Sequence, residues 1–197
     1  GIFLLMDKQL LSLIERCKKN DRKAQSELYK WWFSDLMRMA TRYKKNREDA
    51  AALVNMAFFK AFTNIEKYQN HVPFEAWIRQ IMKNTIIDEY RKESRNPESA
   101  SEFSNENGEE IIYSEESIDY NLIEKEMSAE EAERILYLLE ENERTVFNMF
   151  ELDGYSHKEI AGTMGISERT SKRYLASAKI NLQEMIRKTL TINSLTN

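Results

Sequence analysis

The chain has 197 residues, of which 42% are hydrophobic and 31% charged, with only 5 glycines and 2 prolines. This composition allows one large or two small globular domains and favours helix almost throughout. A single cysteine, Cys17, excludes an internal disulfide framework, and with only two histidines beside it a cysteine–histidine metal site is not expected. We therefore predict an all-α protein with no cofactor and no metal.

Charge is distributed unevenly along the chain. Residues 1–92 contain 18 basic and 11 acidic side chains, residues 93–127 contain 2 and 11, and residues 128–197 contain 9 and 11. Within the last part, residues 167–188 contain 6 basic and 2 acidic side chains. Two basic surfaces on either side of an acidic strip can bind nucleic acid although the whole chain has a net charge of −4.

Hydrophobic periodicity predicts four amphipathic helices before the acidic strip, over residues 7–19, 21–43, 48–62 and 74–92. Asn20 and Asp21 end the first helix and begin the second. Cys17 is expected to be a small buried apolar residue of the first helix. The opening segment GIFLLM is far too short to span a membrane, so we expect no membrane insertion and a cytoplasmic protein.

The third predicted helix, EDAAALVNMAFFKAF, is apolar on more than one face. We assign Leu53, Ala57 and Phe58 to the core, and Val54, Met56 and Phe59 then point elsewhere. A helix of this kind is either buried on all sides or binds a partner. The sequence leaves both interpretations open.

Residues 64–73 are predicted to form a loop, followed by the helix FEAWIRQIMKNTIIDEYRK. Its basic residues are interleaved with aromatic ones. Such a pattern suits a nucleic-acid strand, because cations hold the backbone and rings stack on bases. A solvated helix face with no ligand is the alternative.

Residues 93–127 are rich in acids and poor in apolar side chains, and Asn96, Pro97 and Gly108 oppose helix there. We predict a flexible acidic linker. The domains are therefore residues 1–92, the linker 93–127, and residues 128–197. Ser128 and Glu131 have the spacing of a capping box that begins the second domain.

The second domain is predicted to contain helices over 128–139 and 143–152 and then a helix-turn-helix over 156–179. Gly165 ends the first helix of this motif and Ser167 caps the second, and Ala161 is small where the two helices cross. Basic residues near the start of the second helix suit phosphates and base edges of a major groove. A plain helical hairpin is the alternative. After about residue 188 we expect a frayed tail.

In this order and spacing the chain resembles the extracytoplasmic-function (ECF) type of bacterial RNA polymerase sigma factors over residues 7–188. Three segments have the family's pattern: EDAAALVNMAFFKAF for the helix that binds the polymerase, FEAWIRQIMKNTIIDEYRK for the helix at the minus-10 promoter element, and ENERTVFNMFELDGYSHKEIAGTMGISERTSKRYLASAK for the domain at the minus-35 element. The resemblance implies two helical domains on a flexible linker and a function in transcription initiation without catalysis.

The resemblance also implies where each partner binds. Core RNA polymerase is expected at Asp49, Ala52, Leu53, Asn55, Met56 and Phe59. An unstacked base of the melted minus-10 strand is expected at Asn70, His71 and Phe74, with the adjacent backbone at Lys83, Asn84, Arg91 and Lys92. The minus-35 element is expected at Ser167, Arg169, Thr170, Lys172 and Arg173. Promoter DNA and core polymerase are thus the expected partners, together with an anti-sigma protein and without a small-molecule substrate.

Several residues depart from the family's pattern. The family usually has acids at the positions of Ala52 and Met56 and a glutamine at Asn55, so contacts with polymerase here are expected either to be weaker or to depend on packing rather than charge. Ser171 stands where the family prefers a buried valine, and we expect its hydroxyl to bond a backbone carbonyl or to loosen the packing.

Two other functions stay open on the sequence. A dimeric helix-turn-helix regulator would explain residues 128–188 but not the FEAW…DEYRK helix. A helical adaptor that binds polymerase without promoter recognition would fit Ala52 and Met56. An enzyme is least favoured, because no histidine has a plausible acid, base or nucleophile beside it and no glycine-rich phosphate loop is present.

Overall fold

A computed structural model describes residues 2–94 and 127–196, which are helical and contain no strand. The all-α prediction is therefore confirmed for these residues. The chain divides into two compact units, residues 1–89 and 90–197. The predicted linker lies almost entirely outside the described residues, so the linker and the domain boundaries stay predictions.

The first unit is built from four α-helices: α1 Ile2–Lys18, α2 Arg22–Thr41, α3 Arg47–Thr63 and α4 Phe74–Ser94. The turn between α1 and α2 forms as predicted. Asn20 takes a left-handed conformation with φ of 58°, which asparagine tolerates better than most residues. The Asp21 carboxylate then accepts hydrogen bonds from the backbone N–H groups of Lys23 and Ala24, at 2.9 and 3.2 Å.

The segment between α3 and α4 is more structured than the predicted loop. Residues Ile65–Lys67 form a 3₁₀ turn, in which the N–H groups of Lys67 and Tyr68 bond the carbonyls of Asn64 and Ile65 at 2.9 and 3.1 Å. Ile65 is buried, so this segment contributes to the core. Asn64 and residues 68–73 lack helical structure.

One hydrophobic core holds the first unit together and takes side chains from all four helices. Cys17 is 1% exposed, as predicted, and burial raises the pKa of its thiol to about 11. Trp31, which the periodicity of α2 places in the core, is 38% exposed instead. Trp32 next to it is half-buried and packs against this core.

The second unit contains α5 Ala129–Leu136, α6 Glu141–Phe147, a π-helical turn Asn148–Leu152, α7 His157–Met164 and α8 Glu168–Thr196. The capping box is confirmed, because the Ser128 hydroxyl accepts from the Glu131 N–H at 3.2 Å and the Glu131 carboxylate accepts from the Ser128 N–H at 2.9 Å. The helices α6 and α7 both pack against α8, and the buried Glu143 of α6 accepts from Ser177 and Asn181.

Two predictions of helical structure in this unit were wrong. The single helix expected over 143–152 begins at Glu141 and changes from α-helical to π-helical geometry at Asn148. The frayed tail expected after residue 188 is helical to Thr196. No glycine or proline interrupts residues 168–196, so nothing in the local sequence ends the helix earlier.

Candidate protein and nucleic-acid interfaces

The helix α3 has one buried face and one exposed face. Its buried side chains are Ala50, Leu53, Val54, Ala57, Phe58 and Ala61. The opposite face exposes Met56 at 38% and Phe59 at 73%. Of the two interpretations that the sequence left open, the structure therefore supports an apolar face that is free to meet a partner.

This arrangement corrects two expectations from the sequence. Leu53, which its spacing assigned to the core and the resemblance assigned to the polymerase contact, is only 3% exposed and belongs to the core. Val54, expected to point away from the core, is fully buried. The other expected contact residues, Asp49, Ala52, Asn55, Met56 and Phe59, are all exposed.

Asn55 is held in place on this face. The Tyr29 hydroxyl donates a hydrogen bond of 2.9 Å to its side-chain oxygen. The Tyr29 ring in turn contacts Phe58 and Phe33, with ring centroids 4.5 and 5.2 Å apart. A residue of α2 thus orients a polar group on the exposed face of α3, which the sequence did not predict.

The loop before α4 rests on a cluster of aromatic rings. Phe74 is 3% exposed, and its ring lies 5.3 Å from Tyr68, 5.5 Å from Trp77 and 5.9 Å from Trp32 between centroids. A ring packed on these sides offers no face to a base. The structure therefore argues against Phe74 as a base-stacking residue and makes it part of the support beneath the loop.

The turn at residues 69–73 exposes Asn70 and His71, as expected for groups that meet a ligand. Tyr68 closes this turn, because its hydroxyl donates a hydrogen bond of 2.6 Å to the Val72 carbonyl. Burial raises the pKa of the Tyr68 phenol, so the group stays a neutral donor. Tyr68 thus shapes this turn, which the sequence did not predict.

The helix α4 carries the remaining minus-10 candidates. Asn84, Arg91 and Lys92 are exposed, and Lys83 is half-buried. The Gln80 amide donates to the Asn84 side-chain oxygen at 3.1 Å. Asp88 on the same helix pairs with Lys60 of α3 at 2.8 Å.

An ion pair holds the beginning of α4 against α2. The Arg79 guanidinium donates two hydrogen bonds of 2.8 Å to the two carboxylate oxygens of Asp35. Hydrogen bonding to Arg79 lowers the pKa of Asp35 below its ordinary value, and desolvation only partly opposes this effect. The fork-shaped contact fixes the direction of the helix that carries the candidate loop.

In the second unit, α7, a short turn and α8 follow each other as predicted. The Ser156 hydroxyl and the Glu159 carboxylate form a capping box at the start of α7. Gly165 ends α7 in the left-handed conformation, with φ of 69°. The Ser167 hydroxyl accepts from the Thr170 N–H at 3.0 Å and caps α8.

The first two turns of α8 present a basic surface. Arg169 and Lys172 are exposed, and Arg173 is half-buried with its guanidinium 5.6 Å from the centroid of the Tyr174 ring. The Thr170 and Ser167 hydroxyls share a hydrogen bond of 2.8 Å. The partial positive charge of a helix N-terminus adds to that of the side chains, which favours an anionic partner here.

Ser171 lies in the same turns but faces inward and is fully buried. Its hydroxyl oxygen is 2.9 Å from Nδ1 of His157, the first residue of α7. The outcomes expected for this hydroxyl were a bond to a backbone carbonyl or looser packing, and the structure instead pairs it with a side chain. No local pattern reveals this pair, since its members lie 14 residues apart on different helices.

Within residues 2–94 and 127–196 no group of histidine, cysteine and acidic side chains is placed to hold a metal ion. The described helices also include none that is long and apolar enough to cross a membrane. The features that stand out are an exposed apolar helix face, a turn built on aromatic rings and a basic helix N-terminus. Such surfaces are typical of a protein that binds other macromolecules.

Comparison with known proteins agrees with this class. The family model for ECF sigma factors matches residues 7–188. The ECF RNA polymerase sigma-E factor of Haemophilus influenzae is 27% identical over 179 residues, covering 89% of this chain and 94% of that protein. The sigma-E factor of Escherichia coli K12 is 30% identical over 157 residues, covering 77% and 81%.

A solved structure, the sigma factor RpoE with the anti-sigma factor NepR from Bartonella quintana, is 18% identical and has a TM-score of 0.46, covering 82% of this chain and 96% of that one.

On the family match, the chain belongs to the ECF sigma factor family. It is an alternative sigma factor that directs transcription initiation. Sigma factors are regulatory rather than catalytic proteins.

Proposed function

We propose that this sigma factor binds core RNA polymerase through the exposed face of α3 and recognises two promoter elements, one with each unit. The observation that most supports the polymerase contact is Phe59, which is 73% exposed on a helix whose opposite face fills the core. Moving an aromatic ring from water into a protein interface is favourable, and such rings often dominate binding energy.

The composition of this face indicates the kind of contact it makes. Ala52 and Met56 cannot form ion pairs, and they flank Asn55 and Phe59 on one exposed surface. The acids beside this surface are Glu48 and Asp49, both in the first turn of α3. Binding to polymerase would therefore depend mainly on apolar packing, with one oriented hydrogen-bonding group, and would depend little on salt.

The first unit would contact the minus-10 element. Asn70 and His71 would receive a base taken out of the stack, at a cost of about a few kcal/mol that the loop must offset. Phe74 and Tyr68 would support the loop from below. Along α4, cationic and amide groups would hold the neighbouring backbone: Lys83, Asn84, Arg91 and Lys92.

The second unit would contact the minus-35 element. We propose that α7, its glycine-ended turn and α8 form a helix-turn-helix, with α8 entering the major groove. The groups available to DNA are at the start of α8: Ser167, Arg169, Thr170, Lys172 and Arg173. A linker over 93–127 between domains 1–92 and 128–197 would let the units contact separate elements. We also propose that an anti-sigma protein binds this chain and that the chain acts in the cytoplasm.

Capture of purified bacterial core RNA polymerase by the full chain tests the first part. We expect stable binding by the unaltered chain. The Ala52→Asp/Met56→Glu variant tests whether this face makes the contact, because acids at these positions change the affinity only if the face is buried in the complex. No binding by either chain would contradict the proposal, as would equal binding by both.

Selection of duplexes from a random library by the polymerase complex tests the second part. A sigma factor should select an asymmetric site with one copy of the chain, whereas a dimeric regulator should select a palindrome. Lys172→Ala should reduce the slope of log affinity against log salt by about 1. Lys188→Ala is the control, since Lys188 lies further along α8 and pairs with Glu184. Polymerase binding without selected DNA would indicate an adaptor.

A further inference from the structure

One side-chain pair joins α7 and α8 at a partly buried point. His157 is the first residue of α7, and Ser171 is the fourth residue of α8. Their Nδ1 and Oγ atoms are 2.9 Å apart, and Ser171 has no exposed surface. A buried polar group is costly unless it is hydrogen-bonded. This contact therefore favours the arrangement of α7 and α8 in which the two side chains meet over arrangements in which they do not.

The His157 ring is also held from a second side. The Phe150 ring of the π-helical turn stacks on it, with centroids 4.4 Å apart and an interplanar angle of 21°. The neighbouring Glu151 pairs with Lys179 of α8 at 2.6 Å, which ties the same turn to the same helix. The imidazole therefore lies among α7, α8 and the π-helical turn and has little freedom to rotate.

The Ser171 hydroxyl can pair with a neutral His157 ring in either tautomer. Burial, helped by the positive charges of Lys172 and Lys179 and opposed by Glu168, lowers the pKa of His157. A neutral ring accepts at Nδ1 from the Ser171 hydroxyl when its proton is on Nε2, and donates to the Ser171 oxygen when its proton is on Nδ1. An apolar residue at either position could not make this contact.

We propose that His157 and Ser171 form a positioning pair that sets the rotation of α8 and thereby aims its basic side chains at the promoter. The inference rests on the proposed role of α8 in promoter recognition. Ser171 lies between Arg169 and Lys172 along the helix, and successive residues are about 100° apart around an α-helix. A small rotation of α8 at Ser171 therefore redirects both cations.

The test compares isosteric side chains at one position in the full chain. Ser171→Thr keeps the hydroxyl. Ser171→Val introduces a side chain of the same shape as threonine but without the hydroxyl. His157→Phe removes the other partner and keeps a ring beside Phe150. The probes are a duplex selected by the unaltered chain with core RNA polymerase and a non-specific duplex of the same length. The measured quantity is the ratio of the two affinities.

We expect Ser171→Val and His157→Phe each to lower this ratio about tenfold, and Ser171→Thr to leave it within about threefold of the unaltered chain. The double variant His157→Phe/Ser171→Val should recover most of the loss, since two apolar side chains leave no polar group unpaired. Equal behaviour of the valine and threonine variants would overturn the proposal. Multiplicative losses in the double variant would also overturn it.

A second measurement separates this proposal from the broader one. Hydrogen exchange at the backbone amides of residues 171–178 reports how firmly α8 is held, with or without DNA. If the unaltered chain selects no duplex, the proposed promoter function fails. The pair is still supported if exchange is fast in the valine variant and slow in the threonine and double variants, and contradicted if all variants exchange alike.

Discussion

The hydroxyl of Tyr68 donates a hydrogen bond of 2.6 Å to the backbone carbonyl of Val72 and closes the turn that exposes Asn70 and His71. The Tyr68 ring is 6% exposed and meets Phe74 edge-on, with centroids 5.3 Å apart. The turn is therefore held from the inside by buried aromatic side chains. Its outer residues are left available for a ligand.

Replacing Tyr68 with phenylalanine tests this support. The variant keeps the ring and loses one hydrogen bond, which contributes about 1 kcal/mol. We expect promoter melting to fall about fivefold because the turn loses its preferred shape. Permanganate reactivity of thymines in the polymerase–promoter complex measures melting. Affinity for core polymerase is the control and should not change, and unaltered melting would contradict the role of Tyr68.

The exposed ring of Phe59 gives a second prediction. Phe59→Ala should reduce affinity for core polymerase at least tenfold, since truncation of a central aromatic residue in an interface costs about 2 kcal/mol or more. The free energy of unfolding should change by less than about 0.5 kcal/mol, because the ring is already in water. Leu11→Ala is the matched control, since Leu11 is also exposed, at 40%, and lies on α1. Equal loss in both variants would contradict a specific role for α3.

The Asp35–Arg79 pair predicts a pH-dependent stability for the first unit. Asp35→Asn should lower the free energy of unfolding by about 1 kcal/mol at pH 7, since Arg79 is partly in solvent. The folded chain depresses the pKa of Asp35, so it binds fewer protons there than the unfolded chain. The stabilising contribution is thus present above the ordinary pKa of about 4 and is lost as pH falls through the folded value.

Tryptophan fluorescence during urea unfolding measures this contribution, because all three tryptophans belong to the first unit: Trp31, Trp32 and Trp77. The difference between the unaltered chain and Asp35→Asn should shrink between pH 5 and pH 3. Glu66→Gln, at an exposed acid on the 3₁₀ turn, serves as a control. A difference that stays constant with pH would contradict an ionic contact.

Cys17 should be chemically inert in the folded protein. Its pKa of about 11 means that only about one thiol in a thousand is ionised at pH 8, and the side chain is 1% exposed. We expect reaction with a disulfide reagent to be at least a hundredfold slower in the native chain than in urea. Rapid reaction of the native chain would show that α1 opens readily and that its packing is weaker than the structure indicates.

His157 predicts that the second unit loses stability on milder acidification than the first. Because the folded pKa lies below the ordinary value of about 6.5, the folded chain binds fewer protons than the unfolded chain near pH 6. The stabilising contribution of the neutral His157 ring is complete above pH 6.5 and declines as pH falls through the folded pKa. With only two histidines in the chain, NMR can titrate each ring directly, and His71→Gln assigns the signals. A His157 pKa above 6.5 would contradict the buried neutral ring.

The local chemistry of the sequence determined where most helices begin and end. Asp21, Ser128, Gly165 and Ser167 act at helix ends as predicted. Each does so because a cap needs only its own side chain or backbone freedom and the next few residues. The helical fold class and the order of segments that indicates the ECF family were accessible for the same reason.

Which face of a helix is buried was decided only in three dimensions. Leu53 and Phe59 are both apolar residues of α3, yet one is 3% exposed and the other 73%, because α2 packs against one side of the helix. Phe74 was assigned to a base and instead supports the loop, since Tyr68 and the tryptophans surround it. The partner of Ser171 comes from another helix. Periodicity shows that a residue can be buried, but burial itself depends on the neighbours that long-range packing supplies.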